Sequence, residues 1–305
     1  MRVTVTGATG VIGRALVREL SEAGDEVLAL SRDAERARRT LGVDALPWER
    51  PKSQPPPAES LRGRDAVVNL LGEPIAQRWS DGAKREIRES RVLATRNLVD
   101  ALGELPPAER PRVLVSQSAV GWYGARGDER IDESAPAADD FVASVAAEWE
   151  AEARRAGELG VRVITTRTGV VLSESGGALE KMLPPFRLGV GGPVAGGRQY
   201  VPWIHLDDVT GALAFCLRTE EASGPVNVTA PEPVTNRELS KALGRVLRRP
   251  AIAPVPALAL RLLYGEMAVV VTTGQRAIPR RLLELGYDFR RPDLEDALRD
   301  ATGRG

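Results

Sequence analysis

The first twenty residues constrain the fold more than any other stretch. Val3 and Val5 alternate with polar residues in a β-branched run, and Ile12, Leu16, Val17 and Leu20 recur at helical spacing. Between them stand Gly7, Gly10 and Gly13, spaced by three. Strand, glycine turn and helix together are the physical form of a dinucleotide site. Glycines let the backbone turn tightly and approach a pyrophosphate, and the helix offers that anion unpaired N–H groups and the positive end of its dipole. A glycine triplet alone also occurs in ordinary strand-to-helix turns; here the flanking periodicities agree on both sides.

The strand–helix alternation continues. Residues 25–32 read as a second strand, 33–41 as a short Arg-rich helix and 45–48 as a third strand. Residues 51–60 carry four prolines and read as a surface loop. Residues 65–72 are a short apolar run, as expected of a strand buried on both faces of a parallel sheet. A long helix lies within residues 80–102, with Asp81 as its expected cap, and strand 112–118, helix 141–159 and strand 161–167 follow. Repeated β-α order implies right-handed crossovers in a parallel sheet.

After Gly169 the pattern loosens, and seven glycines interrupt residues 176–197 around a short helix. A strand at 200–205, a helix at 207–217, a strand at 225–228 and a helix from Thr235, with Glu238 in the capping-box position, complete the reading before a helical tail. The expected fold class is α/β: a Rossmann-like doubly wound parallel sheet with a smaller, mostly helical C-terminal lobe on the substrate side. The expected division gives residues 1–172 to the nucleotide-binding domain, with 200–230 returning to it. Residues 173–199 and 231–305 form the substrate-side and C-terminal helical region.

Composition narrows the partners. The 42 basic and 42 acidic residues balance, so nucleic acid is not an expected partner. Cys216 is the sole cysteine, in an apolar helical pattern that reads as core. With one His and one Cys, no metal site is expected. The N-terminus reads as a strand rather than a signal peptide, and no apolar run approaches membrane-spanning length. The expectation is a cytoplasmic monomer or homodimer without a membrane partner.

The end of the second strand selects the cofactor. NAD binders often carry an acidic residue about 20 residues past the glycines, on the ribose 2′-OH. Here Ser31 and Arg32 stand instead. A carboxylate would repel a 2′-phosphate, whereas a hydroxyl with a guanidinium binds one by charge-assisted hydrogen bonds. The expected cofactor is NADP(H) in preference to NAD(H). Arg36, Arg38 and Arg39 read as a solvated basic face.

The Thr-Gly-Ala-Thr-Gly-Val-Ile-Gly turn of residues 6–13 resembles that of the short-chain dehydrogenase/reductase superfamily in its extended, epimerase-like form. Residues 69–75, 118–124, 167–172, 182–186 and 203–208 extend the likeness, as do 230–236 and the Pro-Val-Pro of residues 254–256. Together they resemble an epimerase-family subgroup of atypical reductases, sometimes labelled nucleoside-diphosphate-sugar epimerases or cell-division inhibitors, with a small C-terminal helical domain. The resemblance implies that Gly7, Thr9, Gly10, Val11, Ile12 and Gly13 wrap the pyrophosphate, and that Ser31 and Arg32 face the adenine ribose. It places Leu70, Leu71, Gly72 and Ser116 beside the cofactor, and Thr168, Gly169 and Val170 beside the nicotinamide. Gln199, Trp203 and His205 fall on the substrate side.

One departure matters. The superfamily's Tyr-x-x-x-Lys pair, in which lysine lowers the tyrosine pKa for proton transfer, is absent. In the expected helix its positions are filled by Phe141 and Val145. Ser118 and Tyr123, at the carboxyl end of the fifth strand, become the candidate catalytic residues. His205 either titrates near neutrality or frames the site and caps the helix that follows. Two readings follow. One is an NADP-binding oxidoreductase or epimerase acting on a small polar or sugar-like substrate. The other is a non-catalytic NADP-binding regulator or sensor, with a possible role in cell division. A polar pocket beside the nicotinamide favours the first; an apolar plug there favours the second.

Overall fold

The computed structural model describes residues 1–303. Seven parallel strands make the main sheet: β1 Arg2–Thr6, β2 Glu26–Ser31, β3 Asp44–Pro47, β4 Ala66–Asn69, β5 Val113–Ala119, β6 Arg162–Thr168 and β7 Gly224–Val228. Their order across the sheet is β7-β6-β5-β4-β1-β2-β3. The chain winds outward in one direction through β3 and in the other through β7, so the switch falls between β1 and β4. Ligands of open α/β sheets bind in the crevice at that point, beyond the carboxyl ends of the strands.

Alternation along the strands builds a core on each face. On one face α1 (Val11–Glu22) and, later in the chain, the Leu206–Arg218 helix pack on the sheet, with Leu16, Val17, Leu20, Val209 and Leu213 meeting Val3, Val5, Val68 and Val115. On the other face, residues of two further helices meet Val67 and Leu114. After the short α2 (Ala34–Leu41), these are α3 (Asp81–Glu104) and α4 (Phe141–Arg154), which contribute Leu98, Val99, Leu102 and Ala153. Neighbouring strand residues such as Val67 and Val68 thus serve opposite cores, which is why β4 reads as an unbroken apolar run.

A third core holds the C-terminal side. Leu179, Leu183 and Phe186 of α5 (Gly177–Arg187) pack with Trp203, Leu239 and Leu243, and with Leu298 of the final helix, Leu294–Ala301. The Leu206–Arg218 helix is α6, Asn236–Leu247 is α7 and Ala257–Tyr264 is α8. The capping box of α7 is formed: Thr235 Oγ1 accepts the Glu238 N–H at 3.3 Å, and Glu238 Oε2 accepts the Thr235 N–H at 2.7 Å.

Some local expectations change. The cap of α3 is Ser80, whose Oγ accepts the Ala83 N–H at 3.2 Å. Asp81 instead opens the helix, where its charge suits the dipole. The expected helix 141–159 is α-helical only to Arg154 and tightens into a 3₁₀ turn over Arg155–Leu159. The expected strand 200–205 is split by Pro202, which has no N–H to donate, into Tyr200–Val201 and Trp203–His205. Neither piece enters the main sheet. Trp203–His205 pairs with Val170–Leu172, and Tyr200–Val201 pairs antiparallel with Val234–Thr235. Among the described residues no helix is long and apolar enough to cross a membrane.

The glycine turn fits together by close backbone contact. Gly7 takes a left-handed φ of +64°, and a Cβ there would lie 2.7 Å from the Leu70 carbonyl oxygen. A Cβ on Gly13 would stand 2.3 Å from the Gly7 oxygen, so α1 and β1 meet only because Gly13 has none. The Gly13→Ala variant must therefore move backbone, and its stability to urea should fall by about 3 kcal/mol. Gly10→Ala, whose Cβ would meet only the Gly7 oxygen at 3.3 Å, should cost clearly less in the same measurement.

Candidate functional site

The crevice opens above the β1–α1 turn. Gly10 caps α1 without a side chain and is exposed, leaving the helix N-terminus bare beside Thr9, Val11 and Ile12. The segment entering α5 closes over this turn, since a Cβ on Gly176 would fall 2.4 Å from Val11 Cγ2. At the end of β2, the Ser31 hydroxyl accepts the Asp33 N–H at 3.3 Å, and Arg32 is exposed beside it. The turn is thus shaped for a close-lying anion, with a hydroxyl and a guanidinium further along the same edge.

A buried polar ladder forms the floor. Thr6 Oγ1 donates to Asn69 Oδ1 at 2.7 Å and accepts the Leu70 N–H at 3.1 Å. Asn69 Nδ2 donates to Thr95 Oγ1 at 2.9 Å and to Ser116 Oγ at 3.3 Å. Trp149 of α4 donates to the same Thr95 oxygen at 2.9 Å. Ser116 is buried within this ladder, so it supports the cleft from below. Leu70 lies against Gly7, and Gly72 is exposed where the chain leaves β4. At the end of β6, the Gly169 N–H donates to Val228 O at 3.0 Å, Val170 pairs with Trp203, and the Thr168 hydroxyl turns back to Thr166 O at 3.3 Å.

Ser118 and Tyr123 are both buried. Ser118 Oγ donates to Glu150 Oε1 at 2.7 Å, and Arg167 clamps both Glu150 oxygens at 2.8 and 3.0 Å. Arg167 and Glu150 are 3% and 1% exposed, which marks a fully buried ion pair. Arg167 Nη1 also donates to the Tyr123 phenolic oxygen at 3.1 Å, while its Cζ lies 3.8 Å from the Trp122 ring centre. Tyr123 in turn donates to Asn227 Oδ1 at 2.7 Å.

Burial pushes the Tyr123 hydroxyl up to about 12, against the pull of Arg167. Burial likewise raises the nearby Glu133 carboxyl, and it works against the charge on Arg167, which hydrogen bonding and attraction from Glu150 nonetheless hold above its usual range. Both hydroxyl protons are committed inside this network. Ser118 and Tyr123, expected to act on a substrate, here close the shell of a buried ion pair. Arg167, charged within a β-branched strand, and Glu150, acidic on the inner face of a helix, carried a sequence signal for that pair that motif reading passed over.

The position of the missing Tyr-x-x-x-Lys pair is filled by packing. Phe141 meets Trp79 edge-on with ring centres 5.1 Å apart, and Lys84 stands 5.5 Å from the Phe141 ring centre. Trp79, Ile87 and Met267 are buried here, with Ile75, Val142 and Tyr264 against them, and Lys84 pairs with Glu266.

Of the residues expected on the substrate side, Gln199 is half-buried, while Trp203 and His205 are buried. Gln199 Nε2 donates to Val194 O at 3.1 Å and Val271 O at 2.9 Å, tying two loops together. Trp203 is 1% exposed within the third core, its indole N–H bonded to Glu232 O at 3.0 Å. His205 is buried and caps α6, its Nδ1 accepting the Asp207 N–H at 3.2 Å, and its Nε2 lies 3.2 Å from Asp300 Oδ2. The ligand atoms of His205, Asp207 and Asp300 lie within 4.8 Å of one another. The donor set nevertheless fits a metal poorly, because the Nδ1 lone pair already accepts a backbone hydrogen bond.

Comparison with known proteins agrees with this architecture. The family model described as "NAD dependent epimerase/dehydratase family" matches residues 3–229, and a "Domain of unknown function (DUF1731)" matches residues 255–301. The chain is 42% identical over 98% of its length to the chloroplastic epimerase family protein SDR39U1 homolog of Arabidopsis thaliana, covering 86% of that protein. The crystal structure of human epimerase family protein SDR39U1 (isoform 2) with NADPH superposes with a TM-score of 0.90 at 35% identity, over 100% of both chains. MoeE5 in complex with UDP-glucose and NAD matches with a TM-score of 0.79 over 100% of this chain and 99% of its own, and at 20% identity it shares the fold alone.

Removing one partner of the buried pair leaves an uncompensated charge. Arg167→Met should lower stability to urea by about 3–5 kcal/mol. Tyr123→Phe removes one hydroxyl and should cost about 1–3 kcal/mol.

Proposed function

The chain belongs to the NAD dependent epimerase/dehydratase family, and on that premise we propose that it binds NADP(H) in the crevice between β1 and β4 and uses it on a small polar or sugar-like substrate. The observation that carries the reading is the glycine turn itself: Gly7 and Gly13 bring backbone to a separation that any side chain would block, and Gly10 leaves the helix N-terminus bare. Ser31 and Arg32 supply the hydroxyl and cation for a 2′-phosphate, and a relative of the same fold was crystallised with NADPH. The residues that would hold the cofactor are Gly7, Thr9, Gly10, Val11, Ile12 and Gly13 at the pyrophosphate, with Leu70, Leu71 and Gly72 alongside, and Thr168, Gly169 and Val170 at the nicotinamide end. When bound, NADP(H) supplies or accepts a hydride. Ser118 and Tyr123 act as positioning residues through Glu150 and Arg167, holding the ends of β5 and β6 at the crevice. We place the protein in the cytoplasm.

A second reading has its own support. The apolar cluster of Trp79, Phe141 and Met267, where proton transfer would be sited, favours a regulator that holds NADP(H) without turning it over.

Calorimetric titration separates the cofactors. NADPH should bind at least about tenfold tighter than NADH, and Arg32→Ala should remove most of that preference, as expected for a charge-assisted contact. Equal affinities in the wild type would sink the NADP assignment. Nicotinamide absorbance, followed with a panel of carbonyl compounds and sugar nucleotides, then decides between enzyme and regulator. A cofactor left unchanged across the panel selects the regulator.

A further inference from the structure

Arg91 is a half-buried cation that the preceding readings do not use. It lies on α3, one helical turn before Thr95, the residue that supports the cleft floor. Its guanidinium stands over Gly72: a Cβ on that glycine would lie 2.9 Å from Arg91 Cζ. On its other side it stacks on Trp149 of α4, with Cζ 5.3 Å from the ring centre. Among the described residues its one hydrogen bond is from Nη1 to Ile87 O at 2.9 Å, and no carboxylate comes within ion-pair distance. Burial outweighs the attraction of Glu73 and lowers its pKa to about 10. Arg167, by contrast, is buried and paired with Glu150, and its remaining donors reach Tyr123 and Glu133 O. A guanidinium has five N–H donors in a planar fork suited to a carboxylate or phosphate, and here most of that fork is unused.

Its place distinguishes it from the pyrophosphate site. That site is the bare N-terminus of α1 above Gly7. Leu70 lies against Gly7, and Gly72 is two residues further out, exposed, where the chain leaves β4. Arg91 therefore flanks the crevice beyond the glycine turn, between α3 and α4. We propose that Arg91 binds an anionic group, phosphoryl or carboxylate, of the substrate or effector that sits beside the cofactor. This rests on the NADP(H) reading for what occupies the rest of the crevice, and it narrows the ligand from polar to anionic.

The test uses the full chain saturated with NADPH, so that the cofactor's own anion sites are filled. Inorganic phosphate and oxalate are titrated in parallel by calorimetry; whichever binds tighter tells phosphoryl from carboxylate. The wild type should bind at least one of them, and Arg91→Gln should weaken that binding about tenfold or more while NADPH affinity changes by less than about threefold. Should the Gln variant fail to fold by circular dichroism, Arg91→Lys replaces it: it keeps the charge but loses the fork, and should weaken the same binding about threefold or more. Absence of anion binding in the wild type, binding unaltered in the variants, or an equal loss of NADPH affinity would each overturn the proposal. Failure of the wild type to bind NADPH would strike the cofactor reading instead, and the same titrations on the protein alone would still decide the role of Arg91.

Discussion

The carboxamide of Asn69 is the contact on which the rest of the cleft depends. It joins β1 through Thr6, β5 through Ser116 and α3 through Thr95, at the height where β1 and β4 end. Each buried polar group left unpaired there would cost about 1–3 kcal/mol, so the four side chains hold one another in a single arrangement. Leu70 follows directly, and its carbonyl sets how near Gly7 must come. The geometry of the glycine turn is thus inherited from a ladder beneath it. Trp149 hangs from the same Thr95 oxygen and carries the stack with Arg91, which extends the ladder to the far side of the crevice.

A second constraint lies one strand over. Burying Arg167 and Glu150 takes two charges out of water, an expense offset only by good geometry and further hydrogen bonds. Ser118, Tyr123 and Trp122 provide those partners. Residues whose positions resemble catalytic ones have here become the lining of an ion pair. The neighbouring positions of Phe141 and Val145 are apolar and packed. The two substitutions are consistent with each other. Beside the crevice stand the glycine turn, the Ser31–Arg32 edge and Arg91.

Much of this was legible from the chain. Period-two and period-three-to-four patterns, the glycines and the capping box mark elements whose signals are local, and the parallel, doubly wound sheet follows from their alternation. The turn at Gly7 and the Ser31–Arg32 edge are contiguous segments, so their chemistry can be read residue by residue. Less was legible where a residue's role depends on a distant partner. Tyr123 and Asn227, or His205 and Asp300, are far apart in sequence, and no spacing rule links them. Strand 200–205 shows the same limit on a smaller scale, since Pro202 signals a break but not which strand each half will join.

The sequence by itself determined the α/β class and the glycine turn after β1, because these rest on backbone geometry and on periodicity within short windows. Only the tertiary structure decided which polar side chains face that crevice. Side-chain direction at the end of a strand is set by what lies opposite. Arg167 required Glu150, and Glu150 drew in Ser118. Arg91, by contrast, met no carboxylate among the described residues. The difference between those two arginines lies in their burial and in the partners that folding brings to them, and neither quantity is written in the residues that surround them along the chain.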